Sequence, residues 1–522
     1  MSEVTFSDPP VDLTDARAAA LPWNYLAPAF GDLLRRAAGQ TRILMALPQG
    51  DQPARFAVIA GDILKDPKAT ADFILSLKVD GVPIATRQRF FVGPSTTRQP
   101  TLNANAEPEV FDLKGLAWSN DGPQVFNQAV VIIDAGIAFW NARFRGQEGP
   151  RFQGIRYFDF EAEIPGKALG LDAAMIADLC QMADTLGSPA VVDYLASAFP
   201  NSVFGPAANP DPNGFWHGTA VADLAGGAAV GEAENVALFG LELPREILAD
   251  YSGETLSAML AMILPAAIEM TAAFAGMRLT IVMPLGFPAG PPDGTHPAAV
   301  SIDEALKACG RADVQVIVPA GNHLQDRCHA QMDPAAGRTL IGWDLPPDDF
   351  STNEIEIFGT AGEPLRLQVP APARAAMDVS LPVSQSFRYI LRDGESIGML
   401  MRFADEGLRS RMRLALWHTA SDSLTAVTPH GRWTLATDGP DKLELWLFRD
   451  DRDPMADRAR PRRPSRFWST GYQLRDASGA QPLTDDEHSA VLRSGTLSVL
   501  ATPPNPLLVC AQAEQRLGHG AV

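Results

Sequence analysis

The stretch ValValIleIleAspAlaGlyIle, residues 130–137, decides the fold class of this 522-residue chain. Its first four residues, 130–133, are all β-branched and apolar, and they run without a polar break up to Asp134, after which AlaGly forms a turn. Such a run is typical of a strand buried on both faces of a parallel sheet. An acid directly after it lies at the carboxyl edge, where open α/β sheets place their sites. A carboxylate that only caps the following turn would give the same pattern.

Further strand and helix patterns alternate along the next part of the chain. Residues 235–242, 279–284 and 314–319 are apolar runs of strand length, and helical patterns over 256–276 and 301–309 lie between them. Regular alternation of strand and helix is the mark of an α/β domain. The sequence therefore predicts a doubly wound, mostly parallel sheet.

A second region shows strand-period alternation of apolar and polar residues. About eight such segments follow one another between 354 and 448, which predicts a β-sandwich or jelly roll. An α/β pattern then returns, with a helix predicted over 484–500 and a strand over 506–511. The β region is thus expected to be an insertion. The predicted organisation is an N-terminal extension over 1–120, the first part of the α/β domain over 121–345, the inserted β domain over 346–460, and a return to the α/β domain over 461–522 that ends incomplete.

Composition and charge exclude several classes of protein. Hydrophobic residues make up 46% and charged residues 20% of the chain, which is a globular composition. The formal net charge of −19 argues against binding nucleic acid or anionic membrane surfaces. The apolar stretch 256–277 contains Glu269 and Pro265, so a buried helix is expected there and not a membrane span.

The N-terminal sequence and the cysteines favour a cytoplasmic protein. MSEVTFSDPPVDLTD has neither a basic start nor an apolar run, so no secretory signal is expected. The four cysteines are widely scattered, which is typical of reduced thiols and not of a disulfide framework.

Two more segments carry side chains suited to catalysis. HisGlyThrAlaValAla begins at His217, and its small residues favour a helix start packed closely on a sheet. A capping or surface histidine is the alternative for His217. AlaGlyAsn ends at Asn322, directly after a predicted strand, and an Asn amide is an uncharged N–H donor that suits an oxyanion. Each segment alone is ordinary, but the order Asp, His, Asn within an α/β pattern is informative.

In these three segments the chain resembles the subtilisin-like serine peptidases, or subtilases. That family carries an apolar strand ending AspSerGly or AspThrGly, a helix beginning HisGlyThr, and an AlaGlyAsn turn. The corresponding segments here are Asp134–Ala135–Gly136, His217–Gly218–Thr219 and Ala320–Gly321–Asn322. The resemblance covers about 125–340 and resumes weakly at about 485–511.

The resemblance implies a subtilisin-like fold and a serine endopeptidase acting on peptide or protein substrates. Asp134 would orient His217, His217 would be the general base, and Asn322 would donate to the oxyanion. IleValMetProLeuGly, residues 281–286, is similar to the family's substrate-lining strand, which assigns substrate binding to Leu285 and Gly286. No cofactor is implied. Many subtilases bind calcium, but no calcium-loop motif occurs here, and no metal site is predicted.

The family's GlyThrSer nucleophile motif has no counterpart in this chain. In SerGlyThrLeuSer, residues 494–498, Leu497 stands where the serine is expected, and Ser498 is one residue late. On a helix start that shift would rotate the hydroxyl by about 100°. The predicted strand over 506–511 is the kind that precedes the nucleophile in subtilases. We therefore expect the chain to end before the serine-bearing helix, with Ser498 and then Ser494 as the remaining candidates.

Other functions are open on the sequence. A subtilase fold without a nucleophile would act as a peptide- or partner-binding module. An unrelated α/β hydrolase is disfavoured, because no GlyXaaSerXaaGly elbow follows a strand. His323, Cys328 and His329 suggest thiol chemistry or a metal, but their spacing matches no zinc pattern, which favours a loop-packing role.

Overall fold

The computed structural model describes short strands between residues 4 and 112, the strand Leu507–Val509, and most of residues 126–501. Within 126–501 its description omits 158–168, 201, 205–216, 230–231, 233–234, 244–253, 275, 289, 352, 362–364, 369–377, 382–385, 403–408, 421–426 and 449–462.

A seven-stranded, mostly parallel sheet forms the centre of the α/β region, as the alternating pattern predicted. Its strands are β1 Gln128–Asp134, β2 Phe152–Tyr157, β3 Leu169–Asp172, β4 Val236–Glu242, β5 Arg278–Val282, β6 Val314–Pro319 and β7 Leu507–Val509. They lie in the order β3–β2–β4–β1–β5–β6–β7, and only β3 runs antiparallel to its neighbour. The chain thus builds first the β2, β3 and β4 side of β1 and then the β5, β6 and β7 side, which places the end of β1 at the switch point of the sheet.

Helices cover both faces of this sheet. They are α1 Ala173–Leu186, α2 Ser188–Ala198, α3 His217–Gly226, α4 Glu254–Met270 and α5 Pro297–Cys309. Because side chains alternate along a strand, Val131 and Ile133 of β1 pack in the core formed with α4 and α5. Val130 and Ile132 face the opposite core, formed with α1, α2 and α3. This two-sided burial explains why residues 129–133 of β1 are all apolar, whereas the exposed Gln128 at its start is polar.

The helix α4 is a buried core helix, as expected from its acid and proline. Leu260, Ile263 and Leu264 are fully buried, and Glu269 lies 3.5 Å from the guanidinium of the buried Arg156. Over the residues that the structure describes, no helix is both long and apolar enough to cross a membrane.

The β region consists of two antiparallel sheets that share one core, as in a β-sandwich. Trp343 and Trp433 of one sheet and Ile355 and Leu414 of the other belong to that core. In order, the larger sheet contains Val4–Phe6, Ser386–Arg392, Glu395–Arg402, Arg409–Leu416, Asn353–Thr360, Leu443–Leu447, His329–Met332 and Val491–Leu492, with Val11–Asp12 also paired to Ser386–Arg392. The smaller sheet contains, in order, Asp378–Leu381, Leu365–Gln368, Gly431–Ala436, Leu340–Leu345 and Arg466–Trp468.

The antiparallel region is larger than the predicted 346–460. Apart from Val4–Phe6 and Val11–Asp12, its strands run from His329 to Leu492 and lie in sequence between β6 and β7, which are neighbours in the parallel sheet. The insertion therefore leaves the order of the central sheet unbroken. Its first strands were assigned to the α/β part because they lie close behind β6 in sequence.

The helix predicted over 484–500 is wrong. The segment contains turns, the strand Val491–Leu492 and a short 3-10 helix, Val499–Ala501. Two causes are visible: Val491–Leu492 pairs with His329–Met332, and the Asp485 carboxylate accepts backbone N–H groups at the end of this strand instead of capping a helix. Tertiary pairing thus overrides the local helical pattern.

The predicted N-terminal extension contains strands of its own. A four-stranded antiparallel sheet is formed, in order, by Phe90–Pro94, Thr41–Ala46, Arg55–Gly61 and Glu109–Asp112. Lys78–Val79 pairs with Val82–Pro83. The small elements elsewhere are the paired strands Arg145–Gly146 and Gly149–Pro150 and the 3-10 helices Ala142–Phe144, Ala272–Phe274 and Pro334–Ala336.

Candidate active site

Asp134 and His217 meet at the carboxyl edge of the parallel sheet. Asp134 is the last residue of β1, and His217 is the first residue of α3. The His217 Nδ1 atom lies 2.6 Å from the Asp134 Oδ2 atom, which is the contact expected from the sequence. The other carboxylate oxygen, Oδ1, accepts the backbone N–H of Ala135 at 2.8 Å. Both oxygens of Asp134 are thus engaged, and its orientation is fixed.

The pair combines a buried acid with an accessible base. The Asp134 side chain is 3% exposed, whereas the His217 ring is 66% exposed. The hydrogen bond to Asp134 raises the pKa of His217. Partial burial of the ring opposes this rise, and the negative charge of Asp134 adds to the rise. Because Nδ1 is committed to the carboxylate, Nε2 is the ring nitrogen able to accept a proton from a substrate or nucleophile.

Short backbone contacts explain the HisGlyThr sequence at the start of α3. The N–H of Gly218 donates to the Ala135 carbonyl at 2.9 Å, and the N–H of Thr219 donates to the Gly136 carbonyl at 3.1 Å. A Cβ at Gly218 would lie 2.6 Å from the Ala135 oxygen, so a side chain there would force the helix away. The Thr219 hydroxyl donates to the Gly136 carbonyl and accepts from Ala138 N–H, each at 2.7 Å. The turn after Asp134 therefore fixes the position of His217.

A buried arginine holds the opposite end of α3. Arg151 Nη2 donates to the Gly226 carbonyl at 2.6 Å and to the Arg143 carbonyl at 2.9 Å. Gly226 is the last residue of α3, where carbonyl groups lack partners within the helix. A cation there is also favoured by the helix dipole. No sequence motif marks Arg151, and sequence reasoning missed it.

Glu242 is a second buried acid at the same edge, and sequence reasoning missed it too. It ends β4 and pairs in register with Asp134. Its Oε2 atom accepts the N–H of Gly136 at 2.8 Å, and its Oε1 atom accepts the N–H of Ile137 at 2.7 Å. Burial raises the pKa of Glu242 to about 8; those two N–H groups act against the rise, and the charge of Asp134 adds to it. The signal was present, since Glu242 closes an apolar run just as Asp134 does.

The predicted oxyanion donor lies at the same edge of the sheet. Asn322 follows β6 in the turn Ala320–Gly321–Asn322, and its side chain is exposed. Gly321 has a φ of +94°, a backbone conformation that favours glycine. The strand β5 separates β6 from β1, so Asn322 follows the second strand along from Asp134.

Of the two residues predicted to line the substrate site, Gly286 borders Ser498. Leu285 and Gly286 follow β5, and Leu285 is partly buried against the core of the α/β region. A Cβ at Gly286 would lie 2.9 Å from Ser498 Oγ and 3.3 Å from a ring carbon of Pro319. Gly286 therefore allows the segment that carries Ser498 to pack closely on the end of the sheet.

Ser498 itself is fully buried and is engaged in local structure. Its N–H donates to the Ala320 carbonyl at 2.8 Å, and its hydroxyl oxygen accepts the N–H of Leu500 at 3.3 Å. The neighbouring Val499 N–H donates to the Phe287 carbonyl at 3.1 Å. Across the described part of the chain, no serine hydroxyl is hydrogen bonded to His217. The structure thus brings together Asp134 and His217 and does not add Ser498 to them.

The residues His323, Cys328 and His329 do not converge on one point. His323 Nδ1 lies 2.8 Å from Asp326 Oδ2, whereas His329 Nδ1 lies 2.5 Å from the Ser494 carbonyl oxygen. Among the residues with a described placement, no group of three or more His, Cys, Asp or Glu could hold a metal ion. Cys180, Cys309 and Cys328 are free thiols, and Cys510 lies outside the described residues.

Comparison with known proteins adds one structural similarity. No family model matches the sequence, and no curated protein matches it. Among solved structures, the CspB protease of Clostridium perfringens is similar with a TM-score of 0.45 and 14% sequence identity. The similarity covers 66% of this chain and 65% of that protein, so this chain spans just under two thirds of its length.

Proposed function

We propose that this chain carries a peptidase site of the subtilisin type on a subtilisin-like fold. The observation that carries the proposal is the hydrogen bond between Asp134 Oδ2 and His217 Nδ1 at the switch point of the parallel sheet. The three motifs that resemble the subtilases also lie at the end of β1, at the start of α3 and directly after β6, in the family's order. The substrates would be peptides or proteins.

Each residue of the site would have one role in acyl transfer. Asp134 holds His217 in the tautomer that carries its proton on Nδ1, so that Nε2 is free to take the proton of an attacking hydroxyl. The imidazolium that forms is stabilised by the buried carboxylate. The Asn322 amide donates to the oxyanion of the tetrahedral intermediate, where one such donor contributes about 2.7–4 kcal/mol. His217 then returns the proton to the leaving amine.

The nucleophile is the part of this mechanism that Ser498 does not supply. Its hydroxyl is fully buried and accepts the N–H of Leu500. Asp134 and His217 activate a hydroxyl and do not replace one. Binding and the oxyanion donor alone give roughly 10³–10⁴-fold acceleration over water, far below a working enzyme. The proposal therefore expects little or no peptide hydrolysis by the 522-residue chain.

A second function is favoured by the same burial of Ser498. A site with an oriented histidine and an amide donor, but without a hydroxyl nucleophile, would bind peptides without cleaving them. Leu285 and Gly286 would then line a binding cleft and not a catalytic one. The two functions share the scaffold and differ in whether a serine becomes acylated.

A fluorophosphonate probe, which labels activated serines, separates the two functions. The 522-residue chain, His217→Ala and Ser498→Ala would each be treated with the probe and mapped by mass spectrometry. Labelling that His217→Ala abolishes would support the peptidase and identify its serine. Labelling at Ser498 would show that its buried placement here is not the reactive arrangement.

A binding measurement completes the test. Unlabelled chain would be titrated with fluorescein-labelled casein peptides, with Leu285→Glu as a variant that charges the proposed cleft. Saturable binding weakened by this variant, without labelling, supports the binding module. If the chain neither reacts with the probe nor binds these peptides, the proposed function is wrong.

A further inference from the structure

We propose that Glu242 is a positioning residue that fixes the Asp134–His217 pair through the turn between them. The inference rests on the proposed function for its catalytic meaning, because there the pair is the general base. Glu242 does not contact the His217 ring in the structure. It acts on the backbone that follows Asp134 and to which the first residues of α3 are bound.

Two consecutive peptide groups connect Glu242 to α3. In the first, the N–H of Gly136 donates to Glu242 and the carbonyl of Ala135 accepts the N–H of Gly218. In the second, the N–H of Ile137 donates to Glu242, and the carbonyl of Gly136 accepts from Thr219. Each peptide plane is thus held at its N–H end by Glu242 and at its carbonyl end by the start of α3.

This arrangement couples the two carboxyl oxygens of Glu242 to the position of His217. A carboxyl oxygen that accepts the N–H of a peptide group polarises that group and strengthens its carbonyl as an acceptor. Those carbonyls receive the N–H groups of Gly218 and Thr219, the two residues that follow His217. Losing the carboxylate would release the two peptide planes together and loosen the start of α3.

The surroundings of Glu242 fit a residue whose role is to position the turn after Asp134. Its side chain is fully buried, and within the described residues it forms no ion pair with lysine or arginine. Its register partners on the adjacent strands are Asp134 on β1 and Tyr157 on β2. Tyr157 is buried, and its hydroxyl has no hydrogen-bond partner among the described residues. Burial of a carboxylate beside another acid is costly, and such perturbed groups concentrate at functional sites.

The test substitutes Glu242→Gln, which keeps the size and replaces one of the two carboxyl oxygens with an NH2 group. A glutamine has one acceptor oxygen, so one of the two N–H groups loses its partner. Hydrogen exchange measured by mass spectrometry should rise roughly ten- to a hundredfold at residues 136–137 and 218–219. Titration by NMR, with the His217 signal assigned from His217→Ala, should show a lower pKa for His217 than in the unaltered chain.

The matched control is Glu269→Gln, since Glu269 is an acid of the same region whose partner is Arg156 and not the turn after Asp134. It should leave the exchange of both segments and the pKa of His217 unchanged. Unchanged readouts in Glu242→Gln would overturn the proposal. So would a rise in exchange spread evenly over the α/β region with His217 unaffected, because that result indicates general stabilisation only.

A second variant keeps the proposal testable if Glu242→Gln does not fold. Glu242→Asp retains both carboxyl oxygens but is shorter by one methylene group, which withdraws them from the N–H groups of Gly136 and Ile137, so it should show the same changes in the same direction. Neither readout needs catalysis. If probe labelling and peptide binding fail while these readouts shift, the proposed function is wrong and the positioning role of Glu242 stands.

Discussion

Glu242 in the parallel sheet and Glu356 in the antiparallel region are both buried glutamates, but their partners are of opposite kinds. Glu242 has two backbone N–H groups and a neighbouring acid, Asp134. Glu356 has the guanidinium groups of Arg411 and Arg413, the latter at 2.6 Å and directly opposite on the adjacent strand. Burial alone would raise the pKa of Glu356, yet the two arginines lower it to about 2, whereas the pKa of Glu242 rises to about 8.

The two regions of this chain accommodate a buried carboxyl group with different kinds of partner. In the antiparallel region the carboxylate is neutralised by cations, which is the usual requirement for a buried ion. At the end of the parallel sheet the carboxylate is held by the backbone of the turn that carries the candidate site. An acid that is buried without a cation is poorly explained by stability and well explained by geometry needed nearby.

The largest expected effect is in the antiparallel region. Glu356→Gln removes the carboxylate that the buried Arg411 and Arg413 share, while Arg413 keeps its 3.5 Å contact with Glu354. The free energy of unfolding should therefore fall by about 3–5 kcal/mol. Urea unfolding followed by tryptophan fluorescence measures this loss, because Trp343 and Trp433 lie in the same core. Glu444→Gln, on a neighbouring strand with a side chain that is 37% exposed, is the control and should cost about 0.5 kcal/mol or less. Equal losses in the two variants would contradict the assignment.

The two glutamates should respond to pH in opposite directions. The pKa of Glu242 in the folded chain lies above its ordinary 4.5, so its contribution to stability is fully present below pH 4.5 and is lost as the pH rises through about 8. The pKa of Glu356 lies below 4.5, so its contribution is present above pH 4.5 and is lost as the pH falls through about 2.

Urea unfolding across this pH range measures the contrast. The stability gap between the unaltered chain and Glu242→Gln should shift in favour of the variant between pH 5 and pH 8, by on the order of a few kcal/mol. The difference in stability between the unaltered chain and Glu356→Gln should instead be largest at neutral pH and should decrease on acidification. If the stability difference depended on pH in the same way for both variants, the predicted contrast between the two regions would be wrong.

Sequence reasoning found the parts of the site that have a local signature. Asp134 was predicted because a β-branched run ends in an acid, and His217 because small residues allow a helix to approach a strand. Glu242 has the same strand-end pattern as Asp134, but its partners Gly136 and Ile137 are more than a hundred residues away in sequence. The significance of an acid at a strand end is decided by which turn lies beside it, and only the folded chain shows that.

The fold was predictable where the spacing of apolar residues agrees with their burial. It was less predictable where a strand pairs with a segment that is distant in sequence. The order of strand and helix around β1 follows from continuous apolar runs. The segment 484–500 reads as a helix, yet its Val491–Leu492 strand pairs with residues about 160 positions earlier. Similarly, His329–Met332 was assigned to the α/β part because nothing local shows that it pairs with Leu443–Leu447.

A smaller effect concerns Asp134, the neighbour that His217 and Glu242 share at the edge of the sheet. Asp134→Asn removes the charge that helps to raise the pKa of both His217 and Glu242, so the pKa of each should fall. Because the His217 ring is largely exposed, the free energy of unfolding should change by only about 1 kcal/mol or less. Histidine NMR and the pH profile of stability measure the two shifts. A His217 titration that is the same in Asp134→Asn would show that the pair is not coupled.

The smallest expected effect lies where the antiparallel region meets the segment that carries Ser498. His329 is buried, its ring stacks on Trp446, and its Nδ1–H donates to the Ser494 carbonyl. Its Nε2 atom has no hydrogen-bond partner among the described residues. Burial lowers the pKa of His329 below the ordinary 6.5, with the Ser494 carbonyl acting against it, so a neutral ring is favoured.

The corresponding test is His329→Gln, which keeps an uncharged N–H donor and removes the titrating group. A lowered pKa in the folded chain means that His329 contributes stability above pH 6.5 that is lost as the pH falls through its folded pKa. The variant should therefore match the unaltered chain to within about 1 kcal/mol at pH 7.5 and lose less stability on acidification to pH 5. Thermal unfolding across that range measures the slopes, with His488→Gln as the control because the His488 side chain is 83% exposed. If His329→Gln keeps the full acid dependence while its stability at pH 7.5 is unchanged, the buried neutral ring is not what makes this boundary sensitive to acid.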